Sequence, residues 1–297
     1  MHKVSVIMNC FNGEKYLREA IDSVYQQTYA NWEIIFIDNA STDNSAEIAK
    51  SYDHRLRYYN THDTLPLYGA RNIGLQYVTG EFVTFLDVDD TWSSNKLFHQ
   101  LKIMAKHPDV YLVCSGYFRK NEKRGTLSRS FSFRSKFITF SQVLHHYPVA
   151  LSSVMLRYDL HSKEIIHFNQ YLNITGDYEL FLRLIYHYKA YFISFPLITL
   201  RIHETNLSKK LLHDWPNELS QTYARLKQDV PLTSYQTLLI DKCYAKASGK
   251  VHLAQGETKA ARAITKKYIF RDARIMLIYL STYNTNIIKW LQRIQGF

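Results

Sequence analysis

The stretch Phe-Val-Thr-Phe-Leu-Asp-Val-Asp-Asp-Thr-Trp (82–92) sets an apolar run directly against three carboxylates. The run Phe82 to Leu86 reads as a strand buried on both faces. In an extended segment, residues two apart face the same side. Asp87 and Asp89 are therefore expected to address one ligand while Val88 stays in the core. Converging carboxylates repel each other unless a cation neutralises them, and hard oxygen ligands favour Mg2+ or Mn2+. A D-x-D triplet is common by chance; its place after a buried strand gives it weight.

Working outward, Val4 to Met8 and Ile34 to Ile37 are further short apolar runs and read as strands. Between them, Glu14 to Gln27 carries Leu17, Ala20, Ile21 and Val24 at helical spacing. Asn44 with Glu47 three residues on predicts a capping box for the next helix. Leu56 to Tyr59 reads as a third strand and Ala70 to Tyr77 as a third helix. This β-α-β-α order predicts an α/β fold with a parallel, doubly wound sheet, whose ligands bind at the carboxyl ends of the strands. From about 111 to 205, short strands (Tyr111 to Cys114, Ser153 to Leu156, Tyr191 to Ile193) mix with helices. The stretch Arg119 to Lys136 is basic, serine-rich and aperiodic, and is expected to be a mobile surface loop. Beyond about Leu211 the chain reads as helical.

Polar residues gather where the strands stop: Asn9, Phe11 and Asn12 after the first, Asp38, Asn39, Ser41 and Asp43 after the second, and Asp87, Asp89 and Asp90 after the fourth. A single acid after a strand is usually a cap or turn former, which is the reading for Asp43. Three polar strand ends brought to one edge point instead to a site.

Composition narrows the classes. With 297 residues, 46% of them apolar, the chain has enough for one large domain or two small ones. Ten Gly, six Pro and 21% charged residues exclude disordered and collagen-like chains. Cys10, Cys114 and Cys243 are far apart and form no metal-ligand or C-x-x-C pattern, so a reduced compartment is expected. No apolar run approaches the roughly 20 residues of a membrane span, and Val4 to Met8 is too short for a signal peptide. The expected location is the cytoplasm. The formal net charge of +11 is uneven, with +9 in residues 242–297. Residues 259 to 295 interleave Lys and Arg with Ile269, Phe270, Ile275, Met276, Ile287, Ile288, Trp290 and Leu291. A basic amphipathic helix pair of this kind fits the inner face of an anionic membrane. The plainer reading is a helical cap packed on the rest of the protein, and a homodimer through these helices stays open.

The ordered set Val-Ser-Val-Ile-Met-Asn-Cys-Phe-Asn (4–12), Glu-Ile-Ile-Phe-Ile-Asp-Asn-Ala-Ser-Thr-Asp (33–43), Ala-Arg-Asn-Ile-Gly (70–74) and Phe-Leu-Asp-Val-Asp-Asp-Thr-Trp (85–92) resembles glycosyltransferase family 2, inverting enzymes of the GT-A fold. The resemblance continues through Gly-Asp-Tyr-Glu-Leu-Phe-Leu-Arg (176–183) and Pro-Leu-Ile-Thr-Leu-Arg-Ile-His-Glu-Thr-Asn-Leu-Ser (196–208). It implies a nucleotide-sugar-binding half over 1–110, an acceptor-binding half over 111–210, and a basic helical region over 211–297. Phe11 matches the aromatic that flanks the nucleotide base and Asp38 the acid on the base edge. Arg71 stands where the family has a basic residue near the nucleotide. Asp87 matches the ribose-side carboxylate and Asp89 the metal ligand, with Mn2+ or Mg2+ as the implied cofactor. Asp177 falls at the general base. Arg201 and His203 lie on the late segment that closes over the diphosphate, with His203 a further candidate metal ligand.

The implied reaction moves one sugar from a nucleoside diphosphate sugar, a UDP-sugar in the commonest case, to a hydroxyl of a glycan or lipid-linked acceptor in bacterial envelope polysaccharide synthesis. The chain departs from the family pattern at Asn9 for a usual Pro, Asn39-Ala40 for Asp-Gly, and Gly176 for Glu. The Q-x-x-R-W element of processive synthases is absent from the sequence, so a non-processive type is expected. For single residues plainer roles compete: Asp177 as a helix cap, His203 as a structural histidine, Arg71 as partner of a core carboxylate, Trp92 as packing, and His145-His146 as exposed helix surface. Two other functions compete with this one. A sugar-nucleotide-forming nucleotidyltransferase needs a Gly- and basic-rich loop after the first strand, and here that loop has one Gly and no Arg. A nucleic-acid binder using the basic tail leaves the buried acids unexplained, because carboxylates repel phosphate.

Overall fold

Four parallel strands carry the first hundred residues: β1 (Val4–Cys10), β2 (Trp32–Asp38), β3 (Leu56–Asn60) and β4 (Phe82–Phe85). Between them run α1 (Glu14–Tyr25), α2 (Ser45–Lys50) and α3 (Leu67–Gln76). In this computed structural model, residues 2–283 are described, apart from 131, 132, 134, 146, 160 and 161. β1 lies between β2 and β4, and β2 pairs with β3. Every residue of β2 is buried, as expected for a strand covered on both faces. α1 turns Leu17, Ala20, Ile21 and Val24 inward, the stripe its sequence spacing predicts.

The middle of the chain extends the same sheet. It contributes β5 (Thr91–Trp92), α4 (Lys96–Lys106), β6 (Val110–Asn121), β7 (Thr126–Arg129), β8 (Phe137–Ile138), α5 (Phe140–His145), β9 (Met155–Arg157), α6 (Ser162–Ile165), α7 (Gly176–His187) and β10 (Lys189–Ile202). The main order is β3-β2-β1-β4-β9-β6-β10-β5. β9 runs antiparallel to both β4 and β6, so the sheet is mixed.

Three local expectations change. The stretch 119–136 is partly a hairpin: Arg119 to Asn121 finish β6, and β7 pairs back on it residue by residue. All four β7 residues are exposed, so apolar alternation could not reveal them. β10 is much longer than Tyr191 to Ile193 and carries the chain from Lys189 to Ile202. Asn44 makes no capping bond; the neighbouring Asp43 accepts from Ser45 N instead, because the Asn44 amide is held by Glu14.

The chain divides into two units, Met1–Glu204 and Thr205–Phe297. The second is helical, with α8 (Leu207–Lys210), α9 (Trp215–Asp229), α10 (Ser234–Ala254), α11 (Thr258–Thr265) and α12 (Ala273–Ser281). Thr233 and Gln236 form a reciprocal capping box that starts α10. Ala245, Tyr268 and Ile275 share a small core of this unit's own. Phe270, Met276 and Leu280 are exposed among the basic residues, whereas Ile275 and Ile278 are buried. The tail residues Ile287, Ile288, Lys289, Trp290, Leu291 and Arg293 lie outside the described residues. Among those described, no helix is long and apolar enough to cross a membrane.

Candidate active site

The carboxyl ends of β1 and β2 meet with Cys10 opposite Asp38, and Asn39 N donates to the Cys10 carbonyl. Phe11, just beyond, is 54% exposed, a free aromatic face at the rim. Asp38 is buried, with Oδ1 accepting from Ser41 N at 2.9 Å and Oδ2 from the Tyr58 hydroxyl at 2.6 Å. Tyr58 is a partner the sequence reading missed. Asn39 holds the loop after β3 by accepting from Leu65 N and donating to the Leu65 carbonyl. Ala40 follows at φ 58°, a left-handed conformation that explains why glycine is usual at this place. The loops after β1 and β2 are tied together by side chains. Asp43 Oδ2 accepts from Glu14 N, Ser45 Oγ from Gly13 N, and Asn12 Oδ1 from Thr42 N.

The acids after β4 converge by a different route from the one expected. The strand stops at Phe85, and Asp90 N donates to the Asp87 carbonyl at 3.0 Å, so 87–90 form a turn. The turn aims each carboxylate at a separate partner. Asp87 Oδ1 accepts from Arg71 at 2.5 Å, Asp89 Oδ2 lies 2.9 Å from His203 Nε2, and Asp90 Oδ2 accepts from Ser152 Oγ at 2.7 Å. Val88 packs against the core as predicted. Burial, reinforced by the charge of Asp87, pushes the Asp89 carboxyl up, while His203 opposes the rise. Asp90 is pushed well up by burial and by the Asp89 and Asp87 charges.

The third component comes from α3 and the loop ahead of α7. Tyr68, Arg71 and Asn72 lie three and four residues apart and share one side of the helix. Arg71 donates to Asn9 Oδ1 at 3.1 Å as well as to Asp87. Asn9, which replaces a usual proline, thus supplies an acceptor that proline lacks. Asn72 exchanges two hydrogen bonds with the Phe168 backbone. The single Tyr68 hydroxyl proton is shared between the Ile174 carbonyl at 3.0 Å and Asp177 Oδ1 at 3.2 Å. α7 begins at Gly176, so Asp177 sits inside its first turn and not ahead of it, and Oδ1 also accepts from Tyr178 N at 2.8 Å. Burial pushes the Asp177 carboxyl up, against the pull of Arg71. A desolvated carboxylate facing a cation is the kind of group that general-base chemistry uses.

Arg201 reaches the acid turn from β10, but its donors point inward. Nε bonds the Asp89 carbonyl, and the two terminal nitrogens lie 2.6 Å from Glu122 and Glu19. Its backbone N–H donates to Asp90 Oδ1, and its guanidinium lies over the Tyr16 ring. Arg201 therefore braces the turn. Trp92 packs: it is buried, donates to the Ser152 carbonyl, and lies under the Lys96 ammonium. His145 is exposed at the end of α5, and His146 lies outside the described residues. The three cysteines are free, and burial pushes each thiol up.

Asp89 and His203 offer a carboxylate and an imidazole side by side, a donor set that suits a divalent cation. Among the described residues, no three His, Cys, Asp or Glu side chains converge on one point. An ion would thus rely on these two groups together with ligand oxygens and water, the usual arrangement for a phosphate-bound cation. Its positive charge would also relieve the crowding that pushes these carboxyls up.

Comparison with known proteins identifies the family and the fold. The family model for glycosyl transferase family 2 matches residues 5–162, just over half of the chain. The UDP-Glc:alpha-D-GlcNAc-diphosphoundecaprenol beta-1,3-glucosyltransferase WfgD of Escherichia coli is 40% identical over 105 residues, which cover 35% of this chain and 42% of that protein. Among solved structures, S. aureus TarS 1–349 in complex with UDP-GlcNAc superposes with a TM-score of 0.68 at 16% identity, over 98% of this chain and 92% of that one. The mannosyltransferase PcManGT of Pyrobaculum calidifontis, in complex with GDP-Man and Mn2+, has a TM-score of 0.60 at 18% identity, over 97% of this chain and 82% of that one. The chain therefore has the GT-A fold, is a glycosyltransferase, and belongs to glycosyl transferase family 2.

Proposed function

We propose that the chain transfers one sugar, with inversion, from a UDP-sugar to a hydroxyl of a glycan or lipid-linked acceptor of the cell envelope. The observation that carries this is Asp177, a half-buried carboxylate held by Tyr68 and facing the Arg71–Asp87 pair at the carboxyl edge of the sheet. Phe11 is the platform for the base, with Asp38 beneath it holding the loop. Asp87, anchored by Arg71, faces the ribose. Asp177 Oδ1 carries the bonds that orient the side chain, and Oδ2 is the oxygen assigned to take the acceptor proton. As that proton leaves, the acceptor oxygen bonds the anomeric carbon and the bond from that carbon to the nucleoside diphosphate breaks. Asp89 and His203 are the residues that would hold Mn2+ or Mg2+, which when bound supplies charge stabilisation for the leaving diphosphate.

The donor and acceptor classes are supported by what WfgD is named for and by the UDP-GlcNAc bound to TarS. The test is calorimetry of the purified protein with UDP-Glc, UDP-GlcNAc and GDP-Man, each with and without Mn2+, followed by donor turnover. UDP-sugar binding strengthened by Mn2+ is the expected result; binding of GDP-Man alone would reassign the donor. The exposed Phe270, Met276 and Leu280 among Lys266, Lys267, Arg271 and Arg274 support a working place at an anionic membrane face. Sedimentation with phosphatidylglycerol vesicles at low salt tests it, and a chain that stays in the supernatant rules it out.

A further inference from the structure

Gly176 and Tyr68 are 108 positions apart in sequence yet in direct contact. A Cβ on Gly176 would stand 2.5 Å from the Tyr68 ring, closer than two carbon atoms can approach. Gly176 is also where the family pattern usually has a glutamate next to the general base. The ring that fills this space is buried, stacks on Phe168 with centroids 5.4 Å apart, and lies under the Arg71 guanidinium. Its hydroxyl ends on Asp177 Oδ1 and the Ile174 carbonyl.

We propose that Tyr68 is the positioning residue for Asp177, and that Gly176 is the vacancy which lets it reach there. The role of Asp177 as base is taken from the preceding reading; the contact itself does not depend on it. Tyr68 fixes the base in two ways. Its hydroxyl, together with Tyr178 N–H, turns Oδ1 away from the acceptor and leaves Oδ2 toward it. Its ring also carries Arg71, so the helix that anchors Asp87 on the donor side anchors Asp177 on the acceptor side. One helix face thereby sets the distance between donor and base, the quantity to which in-line transfer is most sensitive.

The electrostatics agree in sign. The charged and titratable groups facing Asp177 are Arg71 and Tyr68 from α3, Asp87 from the acid turn, and Tyr147 ahead of β9. Burial pushes the Tyr68 phenol well up, so it stays protonated and remains a donor. A hydrogen bond donated to the charged carboxylate favours ionisation, and removing it raises the Asp177 pKa further.

The test uses Tyr68→Phe, which keeps the ring and its packing. Asp177 is followed by carboxyl 13C NMR of the full chain, with its signal assigned through Asp177→Asn. The expected result is an upward shift of the Asp177 titration by about half to one unit. The acid limb of the kcat–pH profile for UDP-sugar turnover moves with it, lowering kcat below that limb by up to about tenfold. KM for the donor stays unchanged. Gly176→Ala displaces the ring and gives a similar shift, and the Tyr68→Phe/Gly176→Ala pair is less than additive. An unmoved Asp177 titration in Tyr68→Phe, or full additivity of the pair, overturns the proposal. Retained transfer by Asp177→Asn would instead overturn the base reading, while the NMR titration still judges the Tyr68 contact.

Discussion

The two ends of one sheet treat their carboxylates in opposite ways. At the amino end, Glu33 receives Ser5 Oγ at 2.7 Å, Thr79 Oγ1 at 2.6 Å, Lys3 Nζ at 3.0 Å and an Arg57 nitrogen at 3.2 Å. Burial works against its charge, but the bonds from Thr79, Ser5, Lys3 and Arg57 outweigh it and hold the carboxyl down at about 2. At the carboxyl end, Asp89, Asp90 and Asp177 are all pushed up, since burial there is joined by mutual repulsion. Donors surplus to acceptors make a structural tie. Acceptors surplus to donors leave a place for something positive to bind or for a proton to go.

The contrast is broken most severely by exchanging function for stability. Asp177→Asn is expected to lose about 10²–10⁴ in kcat while its melting temperature holds or rises, since burial works against the carboxylate's charge; steady-state turnover and circular dichroism on one preparation check both halves. Glu33→Gln should do the reverse, costing about 2–3 kcal/mol of stability by urea denaturation with kcat retained. The same group predicts the acid behaviour. Its pKa is depressed on folding, so its contribution is complete above the ordinary value of 4.5 and is lost as pH falls through about 2. Unfolding titrations between those values should show a steeper pH slope in the parent chain than in Glu33→Gln. The smallest effect is expected at the rim, where Ala40→Gly relieves the left-handed strain and adds about 0.5–1 kcal/mol. A loss of stability there would mean that the Ala40 methyl is held by packing.

Much of this was legible in the sequence, and the remainder was hidden for identifiable reasons. Strands β1, β2 and β4 announce themselves because a strand covered on both faces is mostly apolar, with only Ser5, Glu33 and Thr84 breaking the runs before the strand ends. The residues at their ends are therefore located as soon as the strands are. β9 falls at the short strand expected over Ser153 to Leu156, but its antiparallel place between β4 and β6 is set by partners distant in sequence. The acid turn was misread as extended because Phe-Leu-Asp-Val-Asp alternates like a strand; the Asp90 to Asp87 hydrogen bond is a backbone matter. The inward direction of Arg201 depends on Glu19 and Glu122, which lie far from it in sequence. Tyr68 had one faint signal, a glycine standing where the family pattern usually has glutamate, with no indication of which residue filled the space.

The side-chain ties between the loops after β1 and β2 have a consequence for how a ligand is met. Glu14 Oε2 accepts from Asn44 N while Asp43 accepts from Glu14 N, so each helix start is closed by a residue from the other loop. Neither loop can swing without breaking bonds in both. The lip that bears Phe11 is thus already set, and if the proposed nucleotide docks there little ordering entropy is left to lose on contact. Recognition of the base should behave as docking to a fixed shelf, and whatever closing motion accompanies turnover must come from elsewhere in the molecule.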